Sequence, residues 1–145
     1  MTLKDSLREQ VSAGGGQVRV FKNKAFTRFA RKAGIDDAEL CEAIARAERG
    51  LIDANLGGGV IKQRIARTGG GKSGGFRTMI LFKAGDRAFF VHGFAKNEAD
   101  NIRDDELAAL KKLAAEMLSY DDETIARVIA SETLIEVTCD DQAIS

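Results

Sequence analysis

The sequence predicts an α+β fold: two N-terminal helices, a small antiparallel sheet of about four strands, and a C-terminal helix. Two observations carry that prediction. Between Gly57 and Glu98 three β-rich runs stand in succession, separated only by a glycine-rich connection and an Ala84–Gly85–Asp86 turn. On both sides of that stretch, apolar residues recur instead at helical spacing. Helices gathered at the ends of a strand run, rather than alternating with strands, define the α+β class.

In chain order, residues 1–16 read as a flexible N-terminal extension, an amphipathic stub followed by Ala13–Gly14–Gly15–Gly16. Its MTLKDSLREQ opening has acids and no apolar core, unlike a secretory signal. One domain is expected over residues 17–137, followed by a polar tail at 138–145. Gln17–Phe21 alternates as a short first strand with Val18 and Val20 on one face. Asn23–Ala33 is predicted helical: Phe26, Phe29, Ala30 and Ala33 make its buried side, and Gly34 ends it. Its other side carries Lys24, Arg28, Arg31 and Lys32, a solvated face or a phosphate-contacting one; the sequence does not decide. Asp36–Asp37–Ala38–Glu39 has capping-box spacing and opens a second helix. Leu40, Ile44, Ala47 and Leu51 form its expected apolar stripe.

Val60–Arg67 alternates, which sets Lys62 and Arg64 on one face and Ile61 and Ile65 on the other. Gly69–Gly75 makes a long hairpin tip containing Lys72. Phe76–Phe82 carries Arg77 near its start, and Arg87–Phe94 leads into Ala95–Lys96–Asn97–Glu98. Asp104–Leu118 is the clearest helix, with Leu107, Leu110, Ala114, Met117 and Leu118 on one stripe. Asp121–Ala130 is a last short helix, and Thr133–Thr138 a short edge strand.

The formal net charge is zero over 145 residues, yet it is unevenly spread. Residues 1–97 hold 18 Lys and Arg against 9 Asp and Glu, whereas residues 98–145 hold 4 against 13. A basic body with an acidic C-terminal segment suits an anionic partner such as nucleic acid, or two halves that neutralise each other. No apolar run approaches the roughly 18 residues of a membrane span. Cys41 and Cys139 stand far apart and read as lone thiols, neither a disulfide framework nor a metal site, and a cytoplasmic protein is the default. Cys41 is expected to be inert packing.

Gly69–Gly74 satisfies G-x-G-x-x-G, but it leads into a strand, and without a helix N-terminus the phosphate-binding mechanism is missing. His92, the only histidine, is placed by alternation with Phe90 and Phe94. No Ser–His–acid or Cys–His set assembles, no ligand cluster suggests a metal, and no cofactor is implied. Any chemistry must be carried by cations.

The run GGGVIKQRIARTGGGKSGGFRTMILFKAGDRAFFVHGFAKNEADNI, followed by an ELAALKKLA helix, resembles the RelE/HigB-type toxins of bacterial toxin–antitoxin pairs. It is most similar to the branch with K-x-R-[IV]-A, a glycine-rich loop leading to an arginine-bearing strand, and a strand ending G-[FY]-x-K-N-E. The similarity covers residues 17–137. It implies a ribosome-dependent mRNA endonuclease that drives a 2′-hydroxyl onto the adjacent phosphate, neutralised by a small helix-turn-helix antitoxin. By position it implies catalytic roles for Lys62, Arg64, Arg77 and Lys96, with Arg77 gripping the scissile phosphate and Lys62, crowded by cations, as general base. Lys72, His92 and Phe94 are implied as RNA contacts, Phe94 by stacking on a base. The family's C-terminal acid/base position has no clear counterpart, since the only tyrosine, Tyr120, lies just past the long helix. The alternatives are a gyrase-inhibiting ParE-like toxin and a non-catalytic RNA- or partner-binding module.

Overall fold

The β-rich stretch after Gly57 forms the centre of the sheet. In the computed structural model the described residues are 18–66, 75–96 and 102–139. Strands β3 (Val60–Ile65), β4 (Phe76–Lys83) and β5 (Arg87–Ala95) pair antiparallel in sequence order. Around them lie β1 (Arg19–Asn23), β2 (Ala54–Gly57) and β6 (Leu134–Val137), giving the order β2-β3-β4-β5-β1-β6. The α+β class holds, with six strands where about four are expected. The sheet is also mixed rather than antiparallel: β1 runs parallel to β5 and antiparallel to β6. The sequence gives no sign of β2, because a four-residue ANLG run is too short to show alternation. Its extended form comes from pairing Ala54 with Lys62 and Asn55 with Ile61.

Among the described residues four helices cover the sheet: α1 (Lys24–Ala33), α2 (Asp37–Glu48), α3 (Asp104–Met117) and α4 (Asp122–Ala130). Their starts obey the local chemistry. Asn23 accepts a hydrogen bond from the Phe26 N–H at 2.7 Å, and Asp121 accepts from Thr124 at 2.8 Å. Asp36 and Glu39 form the reciprocal capping box. Gly34 ends α1 with φ 76°, a left-handed conformation that favours glycine. Leu51 departs from expectation. The helix stops at Glu48, so Leu51 never joins its stripe and stands 56% exposed.

The sheet separates two apolar layers. On one face Phe26, Ala30, Leu40 and Ile44 pack with Ile61, Ile65, Ile80 and Phe90. On the other, Ala114, Met117 and Ile125 cover Phe21, Val60, Met79, Leu81 and Phe89. Gly93 is required at the first face, because a Cβ there would lie 2.4 Å from the Phe29 ring. The glycine of the G-[FY]-x-K pattern is therefore where helix α1 sits down on the sheet. Buried Arg87 closes the end of α3, donating from Nη1 to the Tyr120 carbonyl at 2.6 Å.

Two expectations about single residues are corrected. Cys41 and Cys139 are joined in a disulfide with their Cα atoms 5.7 Å apart, although 98 residues separate them. Spacing alone hides this, since β6 brings the C-terminal end back beside β1 and over α2. Cys139 is thereby anchored, while residues 140–145 of the expected tail lie outside the described residues. His92 does not share a face with Phe90. A β-bulge between Met79 and Ile80 pairs them with His92 and Phe90 respectively and leaves Val91 as the extra residue. Phe90 thus turns toward Phe26, 5.1 Å between ring centroids, whereas His92 turns to the opposite face and stacks on Phe94 at 5.8 Å.

Candidate functional site

The bulge decides which side chains meet. Cross-strand pairing aligns Arg64, Arg77 and Phe94 in one row and Lys62, Met79 and His92 in the next. Met79 and Phe94 belong to the layer under α3 and α4, so both rows lie on that face. There the apolar cover gives way to half-buried Lys62, Arg64, Arg77 and His92. Five of the seven site residues read from the sequence therefore share one sheet face. Lys96 lies just beyond the end of β5, exposed, its backbone N–H bonded to the Gly75 carbonyl at 3.1 Å. Lys72 lies outside the described residues.

Arg77 stands at the centre. Its Nη1 is buried and has no hydrogen-bond partner. Leaving a charged donor buried and unpaired costs on the order of 1–3 kcal/mol or more. A guanidinium is the side chain suited to a bidentate grip on phosphate. The aromatic pair His92–Phe94 flanks it. A hollow of about 220 Å³ lies beside His92, lined by Val91, by Ile102 ahead of α3, and by Glu106 and Leu110 of α3.

Three residues that the sequence does not single out hold this face in place. β2 stops pairing at Ala54, opposite Lys62, so the backbone of Arg64 lacks a strand neighbour on that side. Asp53 and Arg46 take its place: Asp53 Oδ2 accepts from the Arg64 N–H at 2.5 Å, and Arg46 Nη2 donates to the Arg64 carbonyl at 2.7 Å. Gln63, wholly buried, positions Asp53 in turn. Its Oε1 accepts from the Asp53 N–H, and its Nε2 donates to the carbonyls of Ala43 and Leu51. One signal marks Gln63 in the sequence: it falls between Ile61 and Ile65 on the apolar face, where a polar residue needs partners.

Tyr120 packs against the same apolar layer rather than joining the two rows. It lies past the C-terminal end of α3, about 17 Å of helix axis from the Glu106 turn beside His92. Desolvation and then neighbouring Glu116 push its hydroxyl pKa upward. Among the described residues no group of three or more His, Cys, Asp or Glu could hold a metal ion. Among the same residues no helix is long and apolar enough to cross a membrane.

Residues 18–137 match a family model, that of the RelE toxin of the RelE/RelB toxin–antitoxin system. The chain belongs to the RelE toxin family. It is thus the toxin of a toxin–antitoxin pair, and a cognate antitoxin is its partner. Comparison with curated proteins gives no match. The matched span runs from the residue before β1 to the last residue of β6, so it takes in every element of the sheet.

Proposed function

We propose that this RelE-family toxin is a ribosome-dependent mRNA endonuclease, acting in the cytoplasm and held in check by a helix-turn-helix antitoxin. One observation carries the reading: the buried, unpartnered Nη1 of Arg77 at the centre of a face that also bears Lys62, Arg64 and His92. In the reaction the ribose 2′-oxygen forms a bond to the adjacent phosphorus and the bond to the 5′-oxygen breaks. The products are a 2′,3′-cyclic phosphate and a 5′-hydroxyl. Charge accumulates on the phosphoryl oxygens, and fixed cations stabilise it because they need no reorganisation as it develops. Arg77 grips those oxygens and Arg64, beside it in the row, adds to the field. Lys62 takes the 2′-hydroxyl proton, solvent water protonates the departing 5′-oxygen, and Lys96 and Lys72 hold the flanking backbone. His92 and Phe94 offer stacked rings to a neighbouring base.

The test is induction of the protein without its antitoxin, with message cleavage mapped in a translation extract. Arg77→Ala is expected to relieve growth arrest and to lower cleavage about 10²–10³-fold, the cost of removing one transition-state donor. Arg77→Lys, which keeps the charge but not the fork, should fall between the two. If the wild type is harmless and cuts no message, the endonuclease reading is wrong. Altered DNA supercoiling in its presence would point instead to a gyrase poison.

A further inference from the structure

The Cys41–Cys139 bridge stands at one end of a chain of contacts whose other end is the cation row. Cys41 lies in α2, 2% exposed, among Leu40, Ala43 and Ile44 of the core. Cys139 follows β6 by two residues and is only partly buried. The bridge thus ties α2 to the strand that ends the sheet on the β1 side. The next residues of α2 reach β3, near the sheet's other edge. The Ala43 carbonyl accepts from Gln63 Nε2 at 2.9 Å. Arg46, paired with Glu42 at 3.1 Å, donates to the Arg64 carbonyl at 2.7 Å. Gln63 in turn fixes Asp53, which takes the Arg64 N–H. Both backbone polar groups of Arg64 are therefore held from α2, one directly and one through two side chains.

We propose that the Cys41–Cys139 bridge is a redox latch on the cation row. Closed, it holds α2 against β3 and so keeps Arg64 in place beside Arg77. Opened by a dithiol reductant, it lets α2 slacken and weakens the site. That the weakened activity is message cleavage, in a cytoplasm that supplies the dithiol, rests on the function proposed above; the mechanical link from bridge to Arg64 rests on the fold alone. Cytoplasmic disulfides, where they occur, are mostly transient ones that respond to redox state. The bridge has one sulfur open to such exchange. A thiolate of the reductant bonds to the more exposed Cys139 Sγ, the S–S bond breaks, and Cys41 Sγ leaves and takes a proton from solvent. The reductant's second thiolate then displaces Cys139, which is protonated likewise. Two electrons and two protons pass to the protein, and the dithiol becomes a disulfide. Leu40 and Ile44 still pack α2 on the sheet, so opening loosens the helix without unfolding the chain. The effect on rate follows because fixed cations stabilise developing charge only while they need no reorganisation.

The experiment uses the full chain with purified ribosomes and message in thiol-free buffer, before and after addition of dithiothreitol. Wild-type cleavage should fall about 5-fold on reduction, the low end of common site-to-site couplings, and return when oxidised glutathione replaces the dithiol. Cys139→Ser should cut at the reduced rate in both buffers, which also shows that the dithiol spares the ribosomes. Amide exchange, followed well below the melting of either form, should quicken at Arg64 and along α2 on reduction. Ile80 and Leu81, in central β4, should keep their rates. Equal Arg64 exchange in the two states overturns the proposal, and so does an active wild type that cuts equally fast in both. Exchange that quickens alike in every strand overturns it too, since the bridge is then a general staple. So does a dithiol response that survives in Cys139→Ser. A wild type that cuts no message in either state, but whose Arg64 exchange follows the bridge, fails as an endonuclease while the latch stands.

Discussion

The Cys41–Cys139 bridge gives the largest stability effect to be expected from a single bond in this chain. It closes a loop of 98 residues, which includes every strand of the sheet except β1. On the chain-entropy account, opening a loop of that size releases about 4.7 kcal/mol of constraint from the denatured ensemble. For a chain of this length that corresponds to a fall in Tm of roughly 10–20 °C. Reduction is a cleaner perturbation than mutation at Cys41, whose side chain is 2% exposed and would leave a buried hydroxyl if changed to serine. Cys139→Ser, at the more exposed partner, is the matching variant. Urea unfolding of the oxidised and reduced forms should show a lower midpoint in the reduced form. It should also show a larger m-value, because the uncrosslinked denatured chain exposes more surface. Equal midpoints in the two forms would refute the reasoning, as would a titration that finds two free thiols in the natively folded, unreduced protein.

Three further perturbations address how the site is held. Gly93→Ala should destabilise by about 1–3 kcal/mol through overpacking against Phe29, and Phe29→Leu should recover part of the loss; thermal unfolding of the single and double variants checks this. Gln63→Leu strips partners from the Asp53 N–H and from the carbonyls of Ala43 and Leu51 and should cost about 1–3 kcal/mol, with faster hydrogen exchange at Asp53 and Arg64. Asp121 is held below its ordinary value of 3.8, first by its hydrogen bond with Thr124. A depressed folded pKa means stability present above that value and lost as pH falls through the folded one. The start of α4 should therefore fray below about pH 4, and Asp121→Asn, which keeps the cap without titrating, should remove that dependence when tracked by amide chemical shifts.

Local chemistry makes much of this fold legible in the sequence. Caps at Asp36 and Asp121, the left-handed Gly34 and the alternation of Lys62 with Arg64 all act over a few residues, and each appears where the spacing puts it. Features fixed by distant partners are the ones that escape. β2 is extended because β3 lies beside it, and Cys41 meets Cys139 because β6 returns to β1. The bulge at Val91 breaks a period-2 pattern that nothing in FFVHGF announces, and it moves His92 off the face of Phe90 and onto that of Arg77. The cationic residues are visible one by one. Their assembly into two rows depends on strand register, which single-strand periodicity does not contain.

The placement of β1 between β5 and β6 has a consequence for the order of synthesis. Arg19 pairs with Arg87, and Val20 with Val137, partners that leave the ribosome 68 and 117 residues later. At about 5–20 residues per second, the first strand emerges on the order of 6–20 s before its second neighbour exists. Meanwhile β3, β4 and β5 are joined by local hairpins and form early at low loop-closure cost. The cation-bearing meander thus precedes the sheet that braces it, and β6, made later, closes the far edge. A nascent toxin carries its cationic row before it carries the rigidity that holds it, which sets a time window in which an antitoxin meets an unfinished partner.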